Sequence, residues 1–511
     1  MQNIWNRRNI RGKLSRVSFF TNDFKDKTIS KTHHDPTFNS TMKKPILSYL
    51  LGLSVIVFIV IFKYPHLFLP HFWDEAWSYS PAVQYLYDHG LGITPAAIPP
   101  ELSKGHPLFF FFLFATWMKV FGTSLFVKHA FALLISVALL VTLFFTTKKL
   151  FNPVVAALSV LLMAFQSLFL AQSSFMLPEM LLALLTILTF YFYIRDKKAG
   201  YLICGSLLVL TKETGILLIL VILVFDLVLI IREGEILKKV PRQLLRLLTL
   251  FVPLFIFILF ILLQKKTYGW FLYPEHINFI TGLETGRNQL EMYINQFFVL
   301  HGQVLLLLLL IITLFISVFK KGERDVPAKR SLSLMLSFFV AYLLFSSFNF
   351  FSPRYLLSIA WILAVFCSYF LFKATGDHAG RTYLAGILVA GILFYYADHV
   401  RNNGDYDLGY LHAVSLQKQA IEYCEQNGWY DHGIYCNFLM HEGLTKKPAG
   451  FLKERTFSKV LVSLNDAPEF LIFNNIEPDP DYGKVAGNEN YNLLKRFNEG
   501  WMWVEIYSRK Q

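Results

Sequence analysis

Apolar residues run in long blocks along most of the chain, at Pro45–Lys63, Phe131–Thr146, Gly215–Ile231, Phe251–Leu263, Val304–Phe319 and Leu332–Phe350. A helix that crosses a bilayer needs roughly 18–20 such residues, and these blocks reach that length alone or with their flanks. The pattern predicts a polytopic α-helical membrane protein. Past residue 398 the apolar blocks stop. A helix is expected around Ala413–Gln426, followed by strand-like runs at Gly433–Asn437, Val460–Leu464 and Phe470–Phe473. A helix at Tyr491–Phe497 and a strand at Trp501–Tyr507 complete a small soluble α/β domain. Three parts result: a basic N-terminal segment 1–44 expected to be disordered, a membrane domain 45–397, and the domain 398–511. Met42-Lys43-Lys44-Pro45 reads as a second start.

Charge orients the spans. Basic residues gather in the N-terminal segment (Arg7 to Lys44), at Lys148-Lys149, at Arg195 with Lys197-Lys198, and from Arg232 to Arg246. Further blocks lie from Lys320 to Arg330 and at Lys373 with Arg381. Cytoplasmic loops are enriched in Lys and Arg, so all six are expected inside. That holds only if His106–Gly122 stays out of the count, as an interfacial or re-entrant helix. About eleven spans follow, in the plasma (inner) membrane, with the N-terminus cytoplasmic and the C-terminal domain extracytoplasmic.

Composition supports this. Charged residues make up 16% of the 511 and hydrophobic ones 55%, against about 25% charged in ordinary globular domains. The net charge of +13 sits in short blocks between spans, which serves orientation and argues against nucleic acid. Four cysteines show no metal-binding spacing. Cys204 and Cys367 fall in spans, while Cys424 and Cys436 in the tail could pair in an oxidising compartment.

The candidate chemistry collects on the predicted outer face. Asp74-Glu75 lies within Phe72-Trp73-Asp74-Glu75-Ala76-Trp77-Ser78-Tyr79, among aromatics that favour the headgroup level. A carboxylate there can take a proton from a nucleophile arriving from water. The Lys104-Gly105-His106-Pro107 turn, Glu179, Lys212 and Arg354 reach the same side. Ionisable groups at membrane depth are functional candidates by default. Plainer roles exist for each: Glu179 suits a helix N-terminus, Lys212 a snorkelling position, and His106 a turn. Asp226, inside a span near Arg232, reads as structural, and Phe109–Phe114 as a packing surface.

In order, these positions resemble the GT-C superfamily of membrane glycosyltransferases, in its protein O-mannosyltransferase and aminoarabinose–lipid A transferase branch. Asp74-Glu75 sits where that branch keeps an acidic pair in its first outer loop. Gly105-His106-Pro107-Leu108 is similar to its His-Pro-Pro-Leu motif, with Leu108 in place of the second proline. Pro178-Glu179-Met180-Leu181-Leu182 matches its second acidic position, where Asp is commoner. Leu210-Thr211-Lys212-Glu213 and Pro353-Arg354-Tyr355-Leu356 resemble its later Lys and Arg-Tyr signatures. The likeness covers roughly residues 45–400.

The resemblance implies a GT-C-type fold and inverting transfer of a sugar from a polyprenyl-phosphate donor. The acceptor would be a protein, a glycolipid or a polysaccharide. Asp74 would then be the general base, with Glu75 as orienter or acceptor contact. Lys104, His106, Lys212 and Arg354 would stabilise the leaving phosphate, and Glu179 would bind the acceptor or help place a divalent metal. Some GT-C members use a divalent metal, but scattered acids with no histidine cluster do not assign one here. A lipid flippase and a catalytically inactive homologue are the rival readings.

Overall fold

The computed structural model describes residues 36–232, 240–277, 283–295, 299, 302–319, 326–348, 352–376 and 378–510. The basic segment before Pro36 lies outside them. Residues 36–44, expected to lack regular structure, are the first turns of the helix Pro36–Lys63.

Among the described residues, seven helices are long and apolar enough to cross a membrane. They are Ile46–Phe68, Leu125–Leu150, Glu213–Arg232, Gln243–Tyr268, Ala328–Ser347, Pro353–Ala374 and Ala379–His399. Shorter apolar helices fill the gaps at Phe109–Phe121, Pro153–Ala164, Pro178–Ile194, Lys198–Thr211 and Gln303–Ser317. The membrane fold predicted from the apolar blocks is the one observed.

Local chemistry sets the helix ends. The Ser124 side chain accepts from the Val127 N–H and that of Asn152 from the Val155 N–H, which satisfies donors at two helix starts. Pro153 and Pro178 occupy first-turn positions, where a missing N–H costs nothing. The 13-residue helix Phe109–Phe121 is about 20 Å long at 1.5 Å per residue, short of a hydrocarbon core of about 30 Å. Its Phe110, Phe111 and Phe114 are buried, and Phe114 packs on Phe131 at 4.8 Å. The run is therefore core packing.

Asp226, expected to be structural, pairs with Arg246, and the Tyr193 hydroxyl donates to it at 2.8 Å. The next helix hairpin supplies the cation, so the partner lies on a neighbouring helix and not on its own. All four cysteines are free and buried. Cys424 faces the core from a helix and Cys436 ends a strand.

The C-terminal part carries a five-stranded sheet ordered β2-β1-β3-β5-β4. The strands are β1 Ile434–Cys436, β2 Val460–Leu461, β3 Phe470–Asn474, β4 Tyr491–Glu499 and β5 Met502–Arg509. β1 runs parallel to β2 and β3, while β5 pairs antiparallel with β3 and β4. The expected helix 491–497 is thus an edge strand. Its apolar spacing suits a helix, but Gly500 at φ +60 turns the chain into a hairpin. Pairing with β5 then overrides local preference. The helix Tyr410–Gln426 packs on this sheet, and one continuous core joins it to the membrane helices.

Candidate active site

The first span ends in a 3-10 turn at Tyr64–Phe68, and the chain then enters the acidic loop. Trp73 adopts φ +47, a left-handed conformation costly for a bulky residue. Its indole N–H donates to the Asn403 carbonyl at 3.2 Å, and the His71 N–H to the Ala449 carbonyl at 2.9 Å. The C-terminal part therefore holds this loop. A single π-helical turn follows at Glu75–Tyr79, a local widening often found at functional sites. Successive residues of a helical turn project about 100° apart, so Asp74 and Glu75 enter different surroundings.

Asp74 is partly exposed and accepts from the Trp77 indole N–H at 2.7 Å. Its other oxygen meets the Arg354 guanidinium. Arg354 also binds Asp405 and lies 3.5 Å from Glu179 through Nε. Glu179 in turn accepts from Lys212 Nζ at 2.9 Å. Lys212 stands 3.9 Å from the Tyr355 ring centroid, and its extended backbone breaks the helix that ends at Thr211. Glu179, Lys212, Arg354 and Asp405 are buried. Burial pushes the Asp74 carboxyl up, but Arg354 and the Trp77 N–H pull it further down, to below the usual value. Asp405 goes the other way: its burial outweighs Arg354, and the nearby Asp74 charge adds to the rise.

His106 and Lys104 stand beside this cluster rather than in it. His106 Nδ1 meets Glu213 at 2.9 Å, its ring stacks on Tyr79, and His276 lies 5.2 Å away. Burial, with His106 nearby, lowers His276 to about 4. Lys104 at φ +51 sits over the Trp77 and Tyr273 rings at 5.2 and 5.6 Å. Gly105 needs its φ of +73, and a Cβ there would lie 2.9 Å from Tyr273 Cβ.

Glu75 is fully buried and turned into a third network. It accepts from the Met176 N–H at 2.7 Å and meets His129 Nε2 at 3.0 Å and His71 Nδ1 at 3.1 Å. Burial raises its carboxyl, but His71 and His129 pull it well below the usual range. Burial also lowers His71 to about 4, against the pull of Glu75. Glu75 therefore orients no group in the Asp74 cluster. Among the described residues, His71, Glu75 and His129 form the one group of such side chains able to hold a metal ion. The sequence hid it because His129 lies 54 positions after Glu75. Asp405 and Glu213 were also missed as site residues; Glu213 was flagged only by its neighbour Lys212, and Asp405 by nothing beyond an acid-rich stretch.

Residues 105–262 match the dolichyl-phosphate-mannose-protein mannosyltransferase family. No curated protein is similar at the level of sequence. Among solved structures, the fold matches ArnT from Cupriavidus metallidurans bound to undecaprenyl phosphate, with a TM-score of 0.51 and 14% identity, over 90% of this chain and 97% of that one. The apo state of the same protein matches with a TM-score of 0.50 and 13% identity, over 91% and 98%. The solved structures thus share this chain's fold over nearly its whole length, and the family model is similar to residues 105–262 within it.

Proposed function

We propose that this enzyme moves a sugar from a polyprenyl-phosphate donor to an acceptor hydroxyl or amine on the extracytoplasmic face, with inversion and with Asp74 as general base. One observation carries the reading. Asp74, Glu179, Lys212 and Arg354, scattered along the chain, meet in one buried ionic cluster whose Asp74–Arg354 contact spans 280 positions. Taking such charges out of water costs several kcal/mol per ion, and apolar replacements are often as stable. Stability alone does not call for the cluster.

The donor phosphate competes with the carboxylates for Arg354 and Lys212. Arg offers a bidentate grip on phosphate and Lys a point charge. Once Arg354 turns to the phosphate, Asp74 loses its strongest partner and becomes the stronger base. The acceptor then gives its proton to Asp74 as its lone pair bonds to the anomeric carbon. The bond from that carbon to the phosphate oxygen breaks, and its electron pair stays on the lipid phosphate beside the two cations. Glu179 keeps Lys212 in place, and the C-terminal part covers the acceptor side.

The test is Asp74→Asn in purified, reconstituted protein. Transfer should stop while polyprenyl phosphate still binds. A variant that still transfers sugar sinks the base assignment. Lipid translocation by the wild type with no glycosyl product would favour the flippase.

A further inference from the structure

The histidine–carboxylate network behind Asp74 has a geometry that the sugar transfer does not use. His71 Nδ1, Glu75 Oε1 and His129 Nε2 form a nearly equilateral triangle, with sides of 3.0, 3.1 and 3.2 Å. Ligands around a tetrahedral zinc ion at about 2.05 Å stand about 3.3 Å apart. A slight expansion would therefore admit an ion capping this triangle.

The hydrogen bonds behind the triangle point the same way. His129 Nδ1 faces the Leu67 carbonyl at 3.1 Å. A carbonyl only accepts, so Nδ1 carries the proton and Nε2 presents its lone pair to the triangle. That backing contact is what orients a metal-binding imidazole. Glu75 Oε1 presents further lone pairs, and Glu75 Oε2 is buried without a partner among the described residues. His71 differs from His129: among the described residues its Nε2 has no hydrogen-bond partner to orient the ring from behind. Lone pairs of His129 Nε2 and Glu75 Oε1 thus meet His71 Nδ1 in a region that water does not reach, since all three residues are buried, and either a proton on His71 Nδ1 or a cation relieves them.

We propose that His71, Glu75 and His129 bind a divalent first-row transition ion, best matched by Zn2+, as a closed structural site. Two imidazoles and a carboxylate suit zinc, whereas Mg2+ and Ca2+ prefer oxygen ligands. Glu75 Oε2 is the free acceptor for a fourth position. The ion would tie the acidic loop to the helix Leu125–Leu150 and thereby fix the loop from which Asp74 projects. It would not touch the substrate. This inference does not depend on which sugar or acceptor the enzyme uses.

The test is metal content and X-ray absorption of full-length, tag-free protein purified in detergent without chelator. The expected result is about one zinc per chain, with two imidazoles and oxygen in its shell at about 2.0–2.1 Å. His129→Ala and Glu75→Gln should lose it at least tenfold, and His71→Ala, which removes the ring without a backing contact, should lose less than His129→Ala. In case those variants fail to fold, wild-type protein treated with a strong chelator should melt earlier and recover with Zn2+ but not Mg2+. A wild type that carries and takes up no zinc overturns the proposal. So does zinc without histidine in its shell, or zinc retained equally by folded variants.

Discussion

Asp74 and Glu75 are neighbours in sequence, yet they belong to different parts of the molecule. Asp74 is partly open and shares one guanidinium with two other acids, Asp405 and Glu179. Glu75 is sealed in and surrounded by two imidazoles and a backbone N–H. The first setting contains mobile-charge chemistry: long cationic side chains that a phosphate can recruit. The second contains shorter side chains, of which Glu75 and His129 are held by backbone contacts. An acidic pair that looks like one unit is thus two single acids, one facing an ionic cluster and one sealed among histidines.

The sharpest way to break this contrast is to remove the chemistry without the shape. Asp74→Asn should lower transfer by about 10²–10⁴-fold, the usual worth of a general base, with a smaller loss of stability than Arg354→Ala brings. Paired activity and melting measurements check it, and a stability loss with normal turnover would erase the distinction. Arg354→Ala should harm both properties, because Asp405 and Glu179 would be left buried beside one lysine. Removing one partner of a buried ion pair costs about 3–5 kcal/mol, readable in chemical denaturation of the detergent-solubilised protein.

Glu75→Gln should reverse the Asp74 pattern. It leaves buried donors short of an acceptor, at about 1–3 kcal/mol, while turnover per folded molecule changes far less than in Asp74→Asn. A collapse of turnover in a fully folded Glu75→Gln protein would return Glu75 to the reaction. The smallest effect belongs to Asp405. Its carboxyl is raised in the fold, so its contribution strengthens as pH falls through that raised value and weakens above it. Asp74 is lowered, so its contribution holds above the ordinary carboxyl value and is lost only in stronger acid. Asp405→Asn should therefore flatten the stability profile on the mildly acidic side, seen as melting temperature against pH, and Asp74→Asn should not.

Much of this was readable from residue order. Long apolar blocks have few structural alternatives, so the membrane fold followed from hydropathy and length. Lys212, Glu179 and Arg354 were identified by short motifs, and they do meet Asp74 in space. What escaped is what only tertiary packing decides. The segment 491–499 has helical spacing but is a strand because β5 lies beside it. Glu75 was paired with Asp74 because they are adjacent, although a helical turn sends neighbours in different directions. His71 and His129 carry no common motif, and Asp405 lies in a linker where acids are ordinary. Lys104 and His106 reach the neighbourhood but bind aromatics and Glu213 instead of the central cluster.

The stitching of the acidic loop to late parts of the chain has a consequence for biogenesis. Arg354 requires Asp405, Trp73 requires Asn403, and the His71 amide requires Ala449. A ribosome adding about 5–20 residues per second leaves Asp74 waiting roughly half a minute for those partners. During that interval the loop has been inserted but not settled, exposed to membrane proteases and quality-control chaperones. A nonsense codon between residues 400 and 405 would therefore yield a protein with its membrane helices but without the Asp405 partner of Arg354.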